Sequence, residues 1–359
     1  MVSRREALWR AVLVVAAVAL LSGLVAGYHR MGWQGVPVPS ALVPEHGALM
    51  TGSFFGTLIA LERAVALRRW WAYVPAWLCG MSLPAFLGAA PPVGYALLAA
   101  GGIGMGLLFG WLLSRHRYFP FAVMLVGALL FGTAWVLLAV GGGYPQALPL
   151  LMGFFVMTIV AERLELTRIV GLSTQAMRWL LALLGVLLWG IGGELFAQQW
   201  HMMGIALGSL AVWLFRYDIA VRALWRPVPS VLHRYTALML TIGYAWLLLT
   251  MVLLVGSQGA GLFYDAVVHA FFVGFVFSMV FAHGVMILPA VWGRVGYAWT
   301  PWMWLGAGMS QLGLVLRLIG DAMGTRLRLY GSWLIGAGIL LYVLLAMRQA
   351  RRLAPARTQ

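Results

Sequence analysis

Lysine is absent from this chain, cysteine occurs once, and acidic side chains number only nine among 359 residues. The single cysteine, Cys79, lies in an apolar run, so one chain can form neither a disulfide framework nor a thiolate metal cluster. Only 9% of the residues are charged, whereas 63% are hydrophobic and the mean hydropathy is +0.93, which excludes a soluble globular domain. The sequence therefore predicts a polytopic membrane protein whose partner is the lipid bilayer.

Twelve apolar runs, each near the length of a membrane-spanning helix, follow one another along the chain. They comprise residues 7–28, 46–67, 71–89, 93–113, 118–140, 146–166, 177–193, 199–215, 234–256, 264–289, 300–320 and 329–347. The connections between them are short and rich in Gly and Pro, so no soluble domain is inserted. We expect an all-α fold of twelve transmembrane helices and a single membrane domain over residues 1–359.

All 24 basic residues are arginines. In a soluble protein this excess would suggest nucleic acid, but in a membrane protein it follows from the positive-inside rule, and we expect no nucleic-acid partner. With a cytoplasmic N-terminus, twenty of the 24 arginines face the cytoplasm, and only Arg30, Arg317, Arg326 and Arg328 lie outside. We expect the first run to be a retained span and not a cleaved signal peptide. The predicted location is the bacterial inner membrane, with both termini in the cytoplasm.

A repeat relates the second and sixth runs. FFGTLIALERAVALR begins at Phe54, and FFVMTIVAERLELTR begins at Phe154, one hundred residues later. The two copies share six identities, including the paired Glu-Arg. Four runs separate the copies, and four further runs lead to the tenth, so the chain divides into three four-helix units with pseudo-threefold symmetry.

The tenth run contains two histidines, His269 and His283. At 1.5 Å and 100° per residue, their fourteen-residue separation corresponds to about 21 Å of rise and an angle about 40° short of whole turns. Both imidazoles are therefore predicted on nearly the same face of one helix, a spacing used to ligate two stacked haems. The alternative is that each histidine bonds a carbonyl of a neighbouring helix.

The other histidines are sorted by membrane side. His46 opens the second run from the same side as His269, so the two could share one haem if their helices are neighbours. His283 lies toward the opposite side. Its candidate partners there are His233, at the start of the ninth run, and Met286, which could bind copper with it.

A family resemblance follows from these features. The stretch HAFFVGF from His269, with Met279 beyond it and His46 at the start of the second run, is similar to the NnrS family of haem- and copper-containing membrane proteins linked to nitric oxide stress. The layout of three four-helix units with metal-binding side chains on helices 2, 6 and 10 more distantly resembles the catalytic subunit of haem-copper oxidases and nitric oxide reductases. The chain lacks the His-x-His of helix 10 and the His pair of helix 7 in the oxidases. A full oxygen-reducing centre is therefore not expected.

The resemblance implies haem b, allows copper, and assigns roles to outer arginines. His46 and His269 would ligate haem, and His283 with His233 would form a looser inner metal site. The loop after helix 11 supplies propionate partners in the oxidase subunits, which points to Arg317, Arg326 and Arg328. The alternative for these arginines is pairing with Asp321, Glu45 or lipid headgroups.

Two functions remain open from the sequence. One is a haem-bearing membrane protein, and so a candidate oxidoreductase, that acts in redox chemistry or in handling nitric oxide or another diatomic gas. The other is a transporter, or an assembly protein that handles metal or protons. An even-numbered helix repeat keeps the same orientation in each copy, whereas transporters often have inverted repeats, so the repeat favours the first function. The substrate and the electron donor are not indicated by the sequence.

Overall fold

The computed structural model describes residues 4–167, 171–197, 200–224, 230–257 and 262–354, and within these ranges the fold is all-helical, without a β-strand. The first six helices are α1 Arg4–Arg30, α2 His46–Leu67, α3 Val74–Leu87, α4 Pro91–His116, α5 Phe119–Ala139 and α6 Tyr144–Thr167. The next are α7 Thr174–Ala197, α8 Trp200–Tyr217, α9 Val231–Ser257, α10 in three pieces (Leu262–His269, Ala270–Val276 and Phe277–Val291), α11 Met303–Met323 and α12 Leu327–Arg352. A short helix, Ile219–Leu224, connects α8 to α9.

Ten of these helices, within the described ranges, are long and apolar enough to cross a membrane. This supports a multi-pass membrane protein that lies in a lipid bilayer. The two others are α3, with 14 residues, and α8, with 18 residues. Each of the twelve apolar runs thus overlaps one of these helices, but only ten helices of the described ranges have the length and hydropathy of a span, and the twelve-span arrangement stays a prediction.

The chain divides into two compact units, Met1–Leu164 and Glu165–Gln359. The first contains α1 to α5 and nearly all of α6, and the second contains α7 to α12. The prediction of one membrane domain over residues 1–359 is not tested by this division, and each unit is described by itself.

In the first unit, the two copies of the repeated sequence lie beside each other on α2 and α6. The rings of Phe55 and Phe155 meet edge to face, with centroids 5.3 Å apart. The Arg63 guanidinium lies 3.7 Å from the Glu162 carboxylate. Because matching positions of the two copies are in contact, α2 and α6 are parallel neighbours, and their Glu-Arg motifs pair across the repeat.

In the second unit, a seam of glycines joins the antiparallel helices α11 and α12. Gly306, Gly313 and Gly320 recur every seven residues along α11 and face the backbone of α12. A Cβ added at Gly313 would lie 2.7 Å from the carbonyl oxygen of Gly331, so no larger residue fits without moving a helix. Glycine seams of this kind let membrane helices approach closely.

The helices α2 and α10 are interrupted by π-helical segments, Leu49–Gly56 and Ala270–Val276. A π turn closes hydrogen bonds between residues i and i+5 instead of i and i+4, so its residues do not advance by 100° each. The segment in α10 lies between His269 and His283. The angle predicted between these histidines assumed an uninterrupted α-helix, and that assumption is wrong.

Candidate functional site

His46 is held against α1 at the start of α2. Its Nδ1 lies 2.7 Å from the carbonyl oxygen of Gly23. Because a carbonyl oxygen can only accept, Nδ1 is the protonated nitrogen, and a neutral ring then carries its lone pair on Nε2. A metal-ligating histidine has this arrangement, with the second nitrogen donating to a carbonyl or a carboxylate.

Glycines of α1 provide the space for the imidazole ring. A Cβ added at Gly27 would lie 2.8 Å from Cε1 of His46, and one at Gly23 would lie 2.6 Å from the sulfur of Met50. The first turns of α2 therefore pack directly on the α1 backbone. This close approach brings the Gly23 carbonyl within reach of the ring.

Glu45, the residue before His46, is the centre of a buried polar cluster in the first unit. The residue is 5% exposed, and its Oε2 accepts hydrogen bonds from the hydroxyls of Tyr95 at 2.6 Å and Tyr144 at 2.8 Å. The Tyr95 ring stacks on Trp135 with centroids 6.1 Å apart. The carboxylate thus joins the starts of α2, α4 and α6 at the membrane end where His46 lies.

His269 lies in the second unit, where the first piece of α10 ends. Its Nδ1 is 2.8 Å from the backbone oxygen of Asp265 and 3.4 Å from a carboxylate oxygen of the same residue. The ring is therefore also oriented through Nδ1. Asp265, one turn before the histidine, thus places both a backbone and a carboxylate oxygen near this nitrogen, as the partner of a ligating histidine would.

Asp265 also forms an ion pair with Arg317 of α11. The NH2 group of Arg317 donates to Oδ2 of Asp265 at 2.7 Å, and its NH1 group donates to the hydroxyl of Ser332 on α12. Asp321, one turn further along α11, has its Oδ2 4.0 Å from Nε of Arg317. Neither of these last two atoms has a hydrogen-bond partner within the part of the chain that the structure describes.

The three arginines predicted to bind propionates differ in environment. Arg317 is 6% exposed and is engaged by Asp265 and Ser332. Arg326 is exposed and precedes α12 as its N-cap residue. Arg328 is half-buried, and its backbone oxygen accepts from Ser332. Arg317 has Asp265 of the same unit as its carboxylate partner, and Arg328 lies near enough to Asp321 to act on that carboxylate electrostatically.

The histidines that the sequence predicts on the inner side of the membrane, His283 and His233, lie in different environments. His283 is buried, and its Nδ1 is 2.9 Å from the carbonyl oxygen of Met279. His233 is exposed at the start of α9, where its Nδ1 is 2.6 Å from the hydroxyl of Ser230. Among the described residues, no group of three or more His, Cys, Asp or Glu side chains could hold a metal ion.

A polar chain in the middle of the second unit was not predicted from the sequence. Trp246 of α9 donates to Gln311 of α11 at 2.5 Å, and Gln311 donates to the hydroxyl of Ser278 on α10 at 2.9 Å. Ser278 in turn donates to the backbone oxygen of Gly274, at 2.5 Å, in the π segment that follows His269. The sequence signal was Gln311, a polar side chain within a candidate membrane span, where such residues mark helix contacts or functional sites.

A family model described as a domain of unknown function, DUF8744, matches residues 9–351. No curated protein and no solved structure shows significant similarity to the chain.

Proposed function

The chain belongs to the DUF8744 family, and we propose that it is an integral membrane protein that binds haem b and acts in redox chemistry or in handling nitric oxide or another diatomic gas. The observation that carries the proposal is the orientation of the histidines on α2 and α10. His46, His269 and His283 each have Nδ1 against a backbone oxygen, at 2.7, 2.8 and 2.9 Å. Each ring, when neutral, then carries its lone pair on Nε2, the nitrogen through which an axial imidazole ligates haem iron.

The residues around the two outer histidines fit a haem ligand in further respects. His46 is fixed between the Gly23 carbonyl and the Gly27 backbone, so its ring is oriented before any ligand binds. His269 is oriented by Asp265, which Arg317 holds in turn. When bound, haem b would supply an iron centre that exchanges one electron, and it would take a diatomic ligand only where one axial histidine is absent or displaced. That His46 and His269 share one haem stays a prediction from the sequence.

The π-helical segments support a functional role for the same two helices. Such segments are rare and are found often at functional sites. In α2 the π segment begins three residues after His46, and in α10 it begins at the residue after His269. Both segments are buried almost throughout. The rare geometry thus occurs beside the two histidines that the resemblance selects.

We propose further that α2, α6 and α10 are equivalent helices of three four-helix units, in an oxidase-like arrangement of twelve helices. These three are the most buried of the ten candidate spans in the described ranges, with 67%, 94% and 67% of their apolar windows buried, against 50% or less in the others. The helix before each of them also approaches it closely at a glycine. These glycines are Gly23 on α1, Gly127 on α5 and Gly243 on α9. The arginine distribution supports the further proposal of an inner-membrane location with cytoplasmic termini.

Copper is less well supported than haem. His283 is buried, but its predicted partner His233 is exposed and hydrogen-bonded to Ser230. We therefore limit the proposal to haem, and a copper site at His283 stays a prediction.

One observation favours the alternative function, a transporter or a proton-handling protein. Asp265, Arg317 and Asp321 form a charged cluster within membrane-spanning helices, where ionisable groups are costly and mark ion or proton paths. The same cluster also orients His269, so the two functions are compatible with one geometry. Haem binding is the measurement that separates them.

The test is a visible spectrum and metal analysis of the protein purified from haem-replete cells. We expect a low-spin b-type haem spectrum with iron in stoichiometric amount. His269→Ala should abolish it while the protein remains in the membrane, because the apolar faces that drive insertion are unchanged. His46→Ala should remove the low-spin character or the haem itself, and His283→Ala should leave the spectrum intact.

The matched control is His201→Ala, which removes an exposed histidine at the start of α8 and should change nothing. A purified protein without haem, or a spectrum that survives the loss of both His46 and His269, would refute the assignment. If the purified protein contains no haem, the transporter or proton-handling function is tested by measuring proton or metal flux in proteoliposomes.

A further inference from the structure

A groove lies on the first unit where α2 ends and α3 and α4 meet. Its volume is about 520 Å³. One wall is a single face of α4, because its lining residues follow helical spacing from Gly104 to Arg115. The other wall is the segment from Arg69 to Pro75, which leads into α3. Leu107, midway along the α4 wall, is 71% exposed, so the groove lies at the surface of the unit.

Charged, aromatic and apolar side chains follow one another along this groove. Trp71 and Trp111 meet edge to face with centroids 5.2 Å apart, and the Arg115 guanidinium lies 5.4 Å from the Trp111 ring centroid. Deeper along α4, Gly104 faces Pro75, to which an added Cβ would approach within 3.0 Å. At 1.5 Å per residue, Arg115 and Gly104 are about 16 Å apart along the helix axis. The groove thus changes from cationic to apolar over about half the thickness of a bilayer's hydrocarbon core.

The cationic end has no counterion on this part of the chain. No acidic residue occurs from position 63 to position 161. Within the described ranges, neither Arg69 nor Arg115 forms an ion pair, and Arg68 and Arg117 beside them add two further positive charges. The backbone of both flanking arginines is left-handed, with φ of 54° and 44°, where α2 and α4 end. Four arginines are therefore collected at one end of the unit.

We propose that this groove binds an anionic diacyl phospholipid, with its phosphate at Arg69 and Arg115 and an acyl chain along α4. Guanidinium is suited to phosphate oxygens, and tryptophan is enriched at the level of the headgroups. A basic pocket between transmembrane helices is a known form of anionic-lipid site. The apolar part of the α4 wall, from Leu107 to Gly104, favours a lipid over a free phosphate. An acyl chain would cover this apolar surface, whereas a soluble anion would not.

The experiment uses the full chain, purified and stripped of lipid in a neutral detergent. We expect dioleoyl-phosphatidylglycerol to raise the thermal unfolding midpoint more than dioleoyl-phosphatidylcholine, and native mass spectrometry to detect one tightly held phosphatidylglycerol. Each arginine at an anionic lipid surface contributes about fivefold in affinity. The double variant Arg69→Gln/Arg115→Gln should therefore weaken this binding by roughly twentyfold to thirtyfold and lose the selective stabilisation.

The matched control is Arg68→Gln/Arg117→Gln, which removes the same charge from the same end but from residues that do not line the groove. It should retain most of the binding. Equal loss in both double variants would overturn the proposal in favour of a diffuse surface potential. Equal stabilisation by phosphatidylcholine would overturn the proposal and show that the surface does not select anionic lipids. Equal stabilisation by sn-glycerol 3-phosphate alone would overturn it and show that the groove is a site for a free anion. Because lipid adducts are counted on the folded ion, an unstable variant still gives a readable result.

Discussion

Replacing Arg317 with methionine should destabilise the second unit more than any other change to an outer arginine. Methionine preserves most of the side-chain length but removes the charge, the bond to Asp265 and the bond to Ser332. It also leaves Asp321, whose side chain is 5% exposed, without its nearest cation.

The expected cost follows from burial. Removing one partner of a buried ion pair costs roughly 3–5 kcal/mol, because the other charge stays buried without compensation. The Arg317 side chain is 7% exposed, but that of Asp265 is 40% exposed, so water compensates part of the loss. We therefore expect about 3 kcal/mol, the lower end of that range. Arg326→Met, at an exposed position of the same hairpin, should cost less than about 0.5 kcal/mol.

The assay is chemical or thermal unfolding of purified variants in detergent, arranged as a double-mutant cycle. Asp265→Asn together with Arg317→Met should cost clearly less than the sum of the two single changes, because the double variant leaves fewer unpaired charges. If Arg326→Met costs as much as Arg317→Met, or if the two cluster changes are additive, the assignment of Arg317 as the buried member of the three arginines is refuted.

Three further predictions concern packing and polar contacts. Gly313→Val should lower the thermal unfolding midpoint strongly, because the added Cβ would lie 2.7 Å from the α12 backbone. Gly308→Val should not lower it, because nothing lies within 4 Å of a Cβ added there. Equal midpoints in the two variants would contradict the close packing of α11 on α12 at these glycines. Glu45→Gln should cost about 1.5–3 kcal/mol in unfolding free energy, since two tyrosine hydroxyls lose a charged acceptor, and no measurable change would argue against that cluster. The double change Arg63→Gln with Glu162→Gln should cost under about 1 kcal/mol, because both charges of the 3.7 Å pair are removed together and neither is left buried alone; a larger loss would show that this pair is a main stabilising contact between α2 and α6.

Hydropathy was sufficient to locate the helices, because each span must bury its backbone polar groups within one apolar segment. The repeat was also informative: matching residues on α2 and α6, such as Phe55 and Phe155, do pack together. Contacts between residues far apart in the sequence could not be predicted in this way. Glu45 meets Tyr95 and Tyr144, 50 and 99 residues away, and one sequence does not indicate which tyrosine faces which acid.

The three outer arginines illustrate a second limit of the sequence. The family resemblance assigned them a shared role, yet their environments differ. Arg317 is one turn before Asp321 on the same face of α11, whereas Arg326 follows the left-handed Gly324 that ends this helix. The π segments could not be predicted from the sequence either, because the residues that form them, such as the phenylalanines after His269, are equally compatible with an uninterrupted α-helix.

The π segment of α10 bears on how this helix tolerates changes in length. In an uninterrupted α-helix, deleting one residue rotates everything beyond it by about 100° and misaligns one flank with its neighbours. Within Ala270–Val276 a deletion can be absorbed, because the wide turn already holds one residue more than an α turn. Such a deletion would preserve the packing faces on both flanks and would reset only the local turn beside His269. A one-residue deletion within this stretch is thus a milder change than the same deletion in α11, where the seven-residue glycine spacing admits no slip.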